Sequence, residues 1–299
     1  MMSGRRSLHK VLSALMLACA VATALAAEVD ERIMAVPVQL RDATGAALAQ
    51  DIVVSVFEAR GGAPYPLLVL NHGRPVSDRA SLRRVRYAQA ARFFASLGYS
   101  VWVPTRIGYG ASGTAVDAEY AGPCNNRDFA RSFGIAADQV QQVIDYARRE
   151  PNIDAQHIVV AGQSYGGATS IAVAARNLPG VVAAINFAGG GGGNPQTRPG
   201  EPCSAQISAE TFGGYGRTSR VPTLWIYTEN DLYFGPQHTQ AWFAAFRAQG
   251  GNGEFLLLPA FGDNGHQLFV RGFDIWAPQV RRFHQALGFN RHSAPAACP

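Results

Sequence analysis

Hydrophobic residues in this chain form two kinds of pattern, short unbroken runs and longer stretches with helical spacing. Near the start, the alternating stretches 33–40 and 51–59 flank a polar segment, which predicts a β-hairpin at the edge of a sheet. Six short apolar runs follow, each typical of a strand that is buried on both faces. They are "PLLVLNHG" (66–73), "YSVWVPTR" (99–106), "HIVVAGQS" (157–164), "VVAAINFAGG" (181–190), "PTLWIYTEN" (222–230) and "EFLLLPAFG" (254–262).

Stretches with apolar residues at helical spacing lie between and after these runs. The alternation of strand and helix predicts an α/β protein whose mostly parallel sheet is covered by helices on both faces. Two connections, 107–132 and 188–220, are unusually long, and we expect both to be loops. The predicted helices cover 81–98, 136–150, 165–180, 235–251 and 277–289.

The first residues have the pattern of a targeting segment rather than of a folded domain. Arg5, Arg6 and Lys10 precede an uncharged apolar run, 11–26, that ends in Ala-Leu-Ala. This predicts a secretory signal peptide, 1–26, that is cleaved after Ala26, and a single domain, 27–299, in the periplasm or outside the cell. Sec and twin-arginine export both stay open. An uncleaved anchor is the alternative, but the run is short for a membrane span, so we expect no stable membrane insertion.

Charge changes the picture once the signal peptide is removed. The formal net charge of +5 falls to +2, because residues 1–26 carry three positive side chains and no negative one. No basic stripe remains, so we expect no nucleic-acid partner. We expect a small-molecule substrate, and the sequence leaves the oligomeric state open.

Three cysteines remain after cleavage, and an oxidising compartment favours one disulfide among them. Cys124 and Cys203 both lie in polar segments that contain glycine and proline, so we predict that they pair. A pairing of Cys203 with Cys298, or three free thiols, stays open. The chain has no Cys-x-x-Cys motif or Cys/His cluster, and we predict no metal or cofactor.

The candidate nucleophile is Ser164, in the motif Gly162-Gln163-Ser164-Tyr165-Gly166. The motif follows a predicted strand and opens a predicted helix, which is the context of a nucleophile elbow. Such a turn is tight, so glycines flank the serine, and its strain exposes the hydroxyl above the sheet. An ordinary glycine-rich turn between a strand and a helix is the alternative.

A serine hydroxyl needs a histidine base, and the histidine needs a carboxylate that holds its tautomer. In this arrangement the acid follows the serine in the chain, and the histidine comes last. Asp231 lies just past a predicted strand, and we prefer it to Glu229. His266 lies in a polar turn after the last predicted strand, and we prefer it to the other downstream histidines, His238, His284 and His292.

The oxyanion of such a reaction needs backbone donors. We expect one from the N–H of Tyr165, directly after the serine, and one from the N–H of Arg74, in "NHGRP" after an early strand. Tyr109, beyond another strand end, is a candidate for lining the substrate pocket. A role as a core or loop aromatic is equally open for it.

With these residues the chain resembles the α/β-hydrolase superfamily, and more closely its secreted dienelactone hydrolase-like members. The resemblance rests on "NHGRP", "GQSYGG", "YTENDLYFGP" and "FGDNGHQLF", and it covers the chain after the signal peptide. It implies an eight-stranded, mostly parallel sheet and a cofactor-free acyl-enzyme mechanism. Dienelactone hydrolases proper use a cysteine nucleophile, so Ser164 favours a general carboxylesterase.

Three other functions stay open. "SYGG" and "ENDLYFGP" are also similar to the prolyl-oligopeptidase type, which favours a peptidase or amidase with the same triad. Those enzymes usually carry a β-propeller, and residues 27–66 are too few for one. A lipase or polyester hydrolase would share the motifs. A non-catalytic binding protein on the same fold would have a broken triad, and the sequence shows none.

Overall fold

The computed structural model describes residues 28–288, and its centre is one eight-stranded sheet. The predicted signal peptide, with its cleavage site, and the residues His292 and Cys298 lie outside the described residues. The strands are β1 (Val29–Arg41), β2 (Ala47–Ala59), β3 (Tyr65–Asn71), β4 (Ser100–Thr105), β5 (Ile153–Gln163), β6 (Val181–Phe187), β7 (Thr223–Thr228) and β8 (Gly253–Leu258).

The strands lie side by side in the order β1-β2-β4-β3-β5-β6-β7-β8. The hairpin β1–β2 is antiparallel and also pairs antiparallel with β4, whereas every later pairing is parallel. The predicted edge hairpin and the predicted mostly parallel sheet are therefore confirmed. Strands β3, β4 and β7 are buried along their whole length, as their unbroken apolar runs predict.

Helices cover both faces of the sheet, so the sheet separates the hydrophobic core into two layers. Helices α2, α3, α4 and α5 pack on one face, and α1, α6 and α7 pack on the other. Within residues 28–288 none of the helices is both long enough and apolar enough to cross a membrane. The helices are α1 (Ala88–Ser96), α2 (Phe129–Ala147), α3 (Tyr165–Ala174), α4 (Ala205–Thr218), α5 (Pro236–Ala248), α6 (Leu268–Arg271) and α7 (Phe273–Ala286).

The expectation that 188–220 is a loop throughout is wrong, because α4 lies inside it. The buried face of α4 consists mainly of small and polar residues, and a pair of glycines lies in its middle, so its sequence has no helical apolar pattern. A Cβ on Gly216 would lie only 2.1 Å from the carbonyl oxygen of Phe246 on α5. The small residues thus let α4 and α5 approach closely. The same small residues leave α4 without the apolar periodicity that would predict a helix.

The other long connection is shorter than predicted, because α2 begins at Phe129 rather than near residue 136. The side chain of Asp128 accepts a hydrogen bond from the N–H of Arg131 and caps the helix. The loop between β4 and α2 therefore runs over residues 106–128.

Candidate active site

Ser164 lies on the tight turn between β5 and α3, with φ 56° and ψ −125°, a backbone conformation that residues with side chains rarely adopt. A Cβ on Gly162 would lie 2.2 Å from the carbonyl oxygen of Gly166, and a Cβ on Gly166 would lie 2.2 Å from that of Asn71. Only glycine fits at these two positions. The flanking glycines thus permit the strained turn that presents Ser164 to a cavity.

Asp231 and His266 form a buried hydrogen-bonded pair beside this cavity. His266 Nδ1 lies 2.8 Å from Asp231 Oδ2, and the two residues are 6% and 2% exposed. The other carboxylate oxygen accepts hydrogen bonds from the backbone N–H groups of Tyr233 and Phe234, at 2.7 and 3.0 Å. Both oxygens are thereby fixed. With Asp231 ionised, Nδ1 carries the ring proton and Nε2 is left as the basic nitrogen.

Aromatic rings hold the imidazole from two sides. The ring of Tyr233 stacks on His266 at 4.0 Å, and that of Phe234 contacts it edge-on at 5.3 Å. Tyr233 and Phe234 line the same cavity as Ser164, so the histidine lies against the wall of the cavity that contains the serine.

Two asparagines join the loop of Asp231 to the turn of His266. Asn264 Oδ1 accepts from the N–H groups of His266 and Leu232, both at 3.1 Å. Asn230 Oδ1 accepts from the N–H of Phe261, and its amide donates to the carbonyl of Gly262. Asp231 and His266 therefore belong to one hydrogen-bonded unit, although they are far apart in the sequence.

The competing residues lie elsewhere or point to solvent. Glu229 is exposed. His238 pairs with Glu201 near the surface, and His284 lies beside Tyr99 on α7. The structure thus places Asp231 and His266, the acid and the base preferred from the sequence, in direct contact.

The loop after β3 approaches the serine closely; we call residues 72–74 the oxyanion loop. A Cβ on Gly73 would lie 3.0 Å from the Cβ of Ser164. Within residues 28–288, neither the N–H of Arg74 nor that of Tyr165 donates to a protein acceptor. Both N–H groups are therefore available to a ligand atom near Ser164.

Tyr109 lies behind the cavity wall rather than on it, in contrast to the pocket-lining role considered from the sequence. It is 1% exposed and is not among the lining residues. Its hydroxyl donates to Glu119 at 2.7 Å and accepts from the guanidinium of Arg74 at 3.0 Å. Burial, and then the charge of Glu119, raise the pKa of Tyr109, so its hydroxyl stays protonated.

The sequence did not indicate the ion pairs around Tyr109. Arg106 and Glu119 form an ion pair with both side chains fully buried, and Arg74 forms a bidentate pair with Asp117. Their carboxylates lie within the loop 106–128, where no periodic pattern says which side chains turn inward.

The cavity next to Ser164 is small and polar, with a volume of about 230 Å³. Arg127 and Arg198 line it, and within the described part of the chain neither forms an ion pair with a carboxylate. Arg127 lies in the connection 107–132, and Arg198 lies in the connection 188–220.

A disulfide joins these two connections at the cavity wall, between Cys124 and Cys203, the pair predicted from the sequence. Four consecutive glycines, 190–193, also line the cavity, where Gly191 packs on Phe129 and Gly192 packs on Cys203. Among residues 28–288 no group of three or more His, Cys, Asp or Glu side chains is arranged to hold a metal ion.

The fold and this site define the class of the protein. A mostly parallel eight-stranded sheet, with a serine on a strained turn between a strand and a helix, is the arrangement of α/β-hydrolase serine hydrolases. Within that class, the chain belongs to the family described as serine aminopeptidase, S33, whose family model matches residues 67–217. No curated protein sequence matches the chain.

Solved structures of both peptidases and esterases share the fold. An acylaminoacyl peptidase from Pyrococcus horikoshii is 13% identical with a TM-score of 0.60, over 91% of this chain and 43% of its own. A putative dienelactone hydrolase from Klebsiella pneumoniae is 16% identical with a TM-score of 0.55, over 87% and 99% of the two chains. A cold-adapted esterase from an Arctic intertidal metagenomic library is 16% identical with a TM-score of 0.55, over 86% and 94%. The chain thus spans about two fifths of the peptidase, and at these identities the likeness shows the fold alone.

Proposed function

We propose that this serine hydrolase cleaves small carboxylic esters through a triad of Ser164, His266 and Asp231. The observation that carries the proposal is the buried Asp231–His266 hydrogen bond, held against the cavity that Ser164 lines. It supports the roles that the chemistry requires: Ser164 as nucleophile, His266 as base and Asp231 as the carboxylate that fixes the tautomer of the base.

The mechanism follows from these positions. His266 Nε2 takes the proton of Ser164 as Oγ attacks the ester carbonyl, and the N–H groups of Arg74 and Tyr165 stabilise the oxyanion. The C–O bond to the alcohol breaks, and the imidazolium protonates the leaving alcohol. Water, deprotonated by His266, then attacks the acyl-enzyme, the bond to Ser164 Oγ breaks, and the imidazolium returns the proton to Oγ as the acid leaves. Asp231 stabilises the imidazolium in both halves of the reaction.

The shape and polarity of the cavity favour a small ester over a long-chain lipid. A volume of about 230 Å³ lies below the range of roughly 300–1,000 Å³ that is usual for ligand sites. Arg127 and Arg198 on its wall would also be costly to cover with an acyl chain.

A peptidase or amidase is the second candidate. The family description names an aminopeptidase, and the Pyrococcus structure is of an acylaminoacyl peptidase. The same triad can cleave an amide, so only the relative rates on esters and amides separate the two functions.

A comparison of matched substrates and variants tests the proposal. We expect turnover of p-nitrophenyl acetate and butyrate by the purified protein, and much slower turnover of the corresponding p-nitroanilides. Ser164→Ala, His266→Gln and Asp231→Asn should each lower kcat/KM by about 10³-fold or more. The controls His238→Gln and Glu229→Gln should retain the wild-type value. Faster turnover of anilides and peptides would instead identify a peptidase.

We also propose that the protein is exported and works in the periplasm or outside the cell. The Cys124–Cys203 disulfide supports this location, because such bonds persist in oxidising compartments. N-terminal sequencing of the protein from its producing cells tests the predicted cleavage after Ala26; a retained Met1 would contradict it.

A further inference from the structure

The mechanism leaves unused a group of charged and polar side chains behind the oxyanion loop. We call this group the buried network; it consists of Arg106, Tyr109 and Glu119, which are buried, together with Asp117, whose side chain is 25% exposed. Arg106 Nε lies 2.6 Å from Glu119 Oε1, and both side chains are fully buried. Because desolvation makes a buried ion pair a weak source of stability, its contacts suggest what else it does.

One end of the network forms hydrogen bonds to His72 of the oxyanion loop. The backbone N–H of Arg106 donates to His72 Nε2 at 3.1 Å, and its guanidinium donates to the carbonyl oxygen of His72 at 3.0 Å. The ring and the backbone of His72 are thus both tied to the end of β4.

The other end of the network contacts Arg74 of the oxyanion loop. The guanidinium of Arg74 donates to Asp117 Oδ1 at 2.8 Å, pairs with Oδ2, and donates to the Tyr109 hydroxyl at 3.0 Å. Tyr109 in turn donates to Glu119 at 2.7 Å. The side chain of Arg74 therefore has its partners in the loop 106–128. Arg74 also lines the cavity that contains Ser164, and within residues 28–288 its backbone N–H has no protein acceptor.

We propose that Asp117 and Tyr109 are positioning residues that act through the side chain of Arg74 to hold its backbone N–H toward the oxyanion. Neither residue lines the cavity, so neither contacts the substrate. The inference rests on the proposed function for the role of the Arg74 N–H. It assigns to Tyr109 a role other than pocket lining, and it adds Asp117 to the machinery of the site.

Steady-state kinetics of Asp117→Asn and Tyr109→Phe on p-nitrophenyl acetate test the proposal. Each substitution should lower kcat by about 10- to 100-fold and leave KM within about twofold, because oxyanion donors act mainly in the transition state. Asp30→Asn is the matched control, because it weakens an exposed ion pair, with Arg60, on the edge strand β1. It should leave both constants unchanged. An unchanged kcat in both test variants would overturn the proposal.

A double-mutant cycle shows whether Asp117 acts through Arg74. Arg74→Met removes the guanidinium but keeps the backbone N–H, and it should lower kcat about as much as Asp117→Asn does. Combining the two should cause no further loss. Multiplicative losses would mean that Asp117 acts by another route and would contradict the proposal. Tyr109→Phe keeps the ring and its packing, so it still tests the proposal if the Asp117 variant does not fold.

The rate of Ser164 labelling by a fluorophosphonate separates this inference from the proposed function. The phosphonylated transition state also carries an oxyanion, so labelling should slow in Asp117→Asn and Tyr109→Phe even if no ester is turned over. Labelling that slows without ester turnover would contradict the esterase and retain the positioning role. Labelling at the wild-type rate in both variants would contradict the positioning role alone.

Discussion

Ser164 can adopt its position because its neighbours Gly162 and Gly166 have no side chains. The carbonyl oxygens of Asn71 and Gly166 occupy the space where Cβ atoms of Gly166 and Gly162 would lie. The strained backbone of the serine is therefore imposed by the packing of the strand ends around it rather than by its own preference.

Gly166→Ala should destabilise the protein more than an ordinary substitution in a helix. Its Cβ would lie 2.2 Å from backbone, which cannot move without shifting β3, so we expect a loss of about 1–3 kcal/mol or more in the free energy of unfolding. Urea unfolding followed by circular dichroism measures it. Gly134→Ala on α2 is the control: its Cβ meets no atom within 4 Å, and alanine should stabilise the helix by about 0.5–1 kcal/mol. Equal effects of the two substitutions would contradict this account.

The end of β3 depends on a histidine that remains neutral. His72 Nδ1 lies 2.7 Å from the carbonyl oxygen of Gly73, and Nε2 accepts from Arg106. Burial, and then the charge of Arg106, lower the pKa of His72 well below its ordinary value. A protonated His72 would lose its acceptor and face a cation, so the oxyanion loop needs the neutral ring.

The stability of the protein should fall as pH drops through and below about 6.5, in part because of His72. Below this pH the unfolded chain binds a proton at His72, whereas the folded protein keeps His72 neutral. This difference lowers the free energy of unfolding by up to about 1.4 kcal/mol per pH unit. Urea unfolding at pH 7.5, 6.5 and 5.5 should show a shallower fall in His72→Gln than in the wild type. Identical slopes would show that His72 titrates normally in the folded state.

The strands and the three triad candidates could be predicted because each has a local signal. Ser164 has its glycines, and Asp231 and His266 follow apolar runs that are typical of strands. Of these strands β7 is buried throughout, whereas β8 lies at the edge of the sheet and is only partly covered, contrary to the prediction of burial on both faces. Helix α4 could not be predicted, because close packing on α5 selected small residues in place of an apolar stripe.

The buried network could not be predicted for a different reason. Asp117 and Glu119 are acidic residues in a long loop, where complete burial like that of Glu119 is the exception. Their roles depend on partners from β4 and from the oxyanion loop, and those contacts exist only once the sheet has assembled. The same holds for Tyr109, whose place behind the wall is set by Glu119 and Arg74.

The sheet brings parts from the whole chain to one edge. Ser164 follows β5, Asp231 follows β7, His266 follows β8 and residues 72–74 follow β3. All four strands are parallel, so their carboxyl ends meet at the same edge, where α/β sheets bind ligands. The Cys124–Cys203 disulfide then joins the two connections that close the cavity over this edge.

Labelling of the purified protein with a fluorophosphonate, followed by peptide mapping, tests the central claim most directly. We expect one adduct, on Ser164, that is absent in Ser164→Ala and retained in Ser96→Ala, an exposed serine on α1. A single adduct at Ser164 together with ester turnover would establish the serine as the nucleophile of an esterase. An adduct at another residue, or ester turnover without any adduct, would contradict the account.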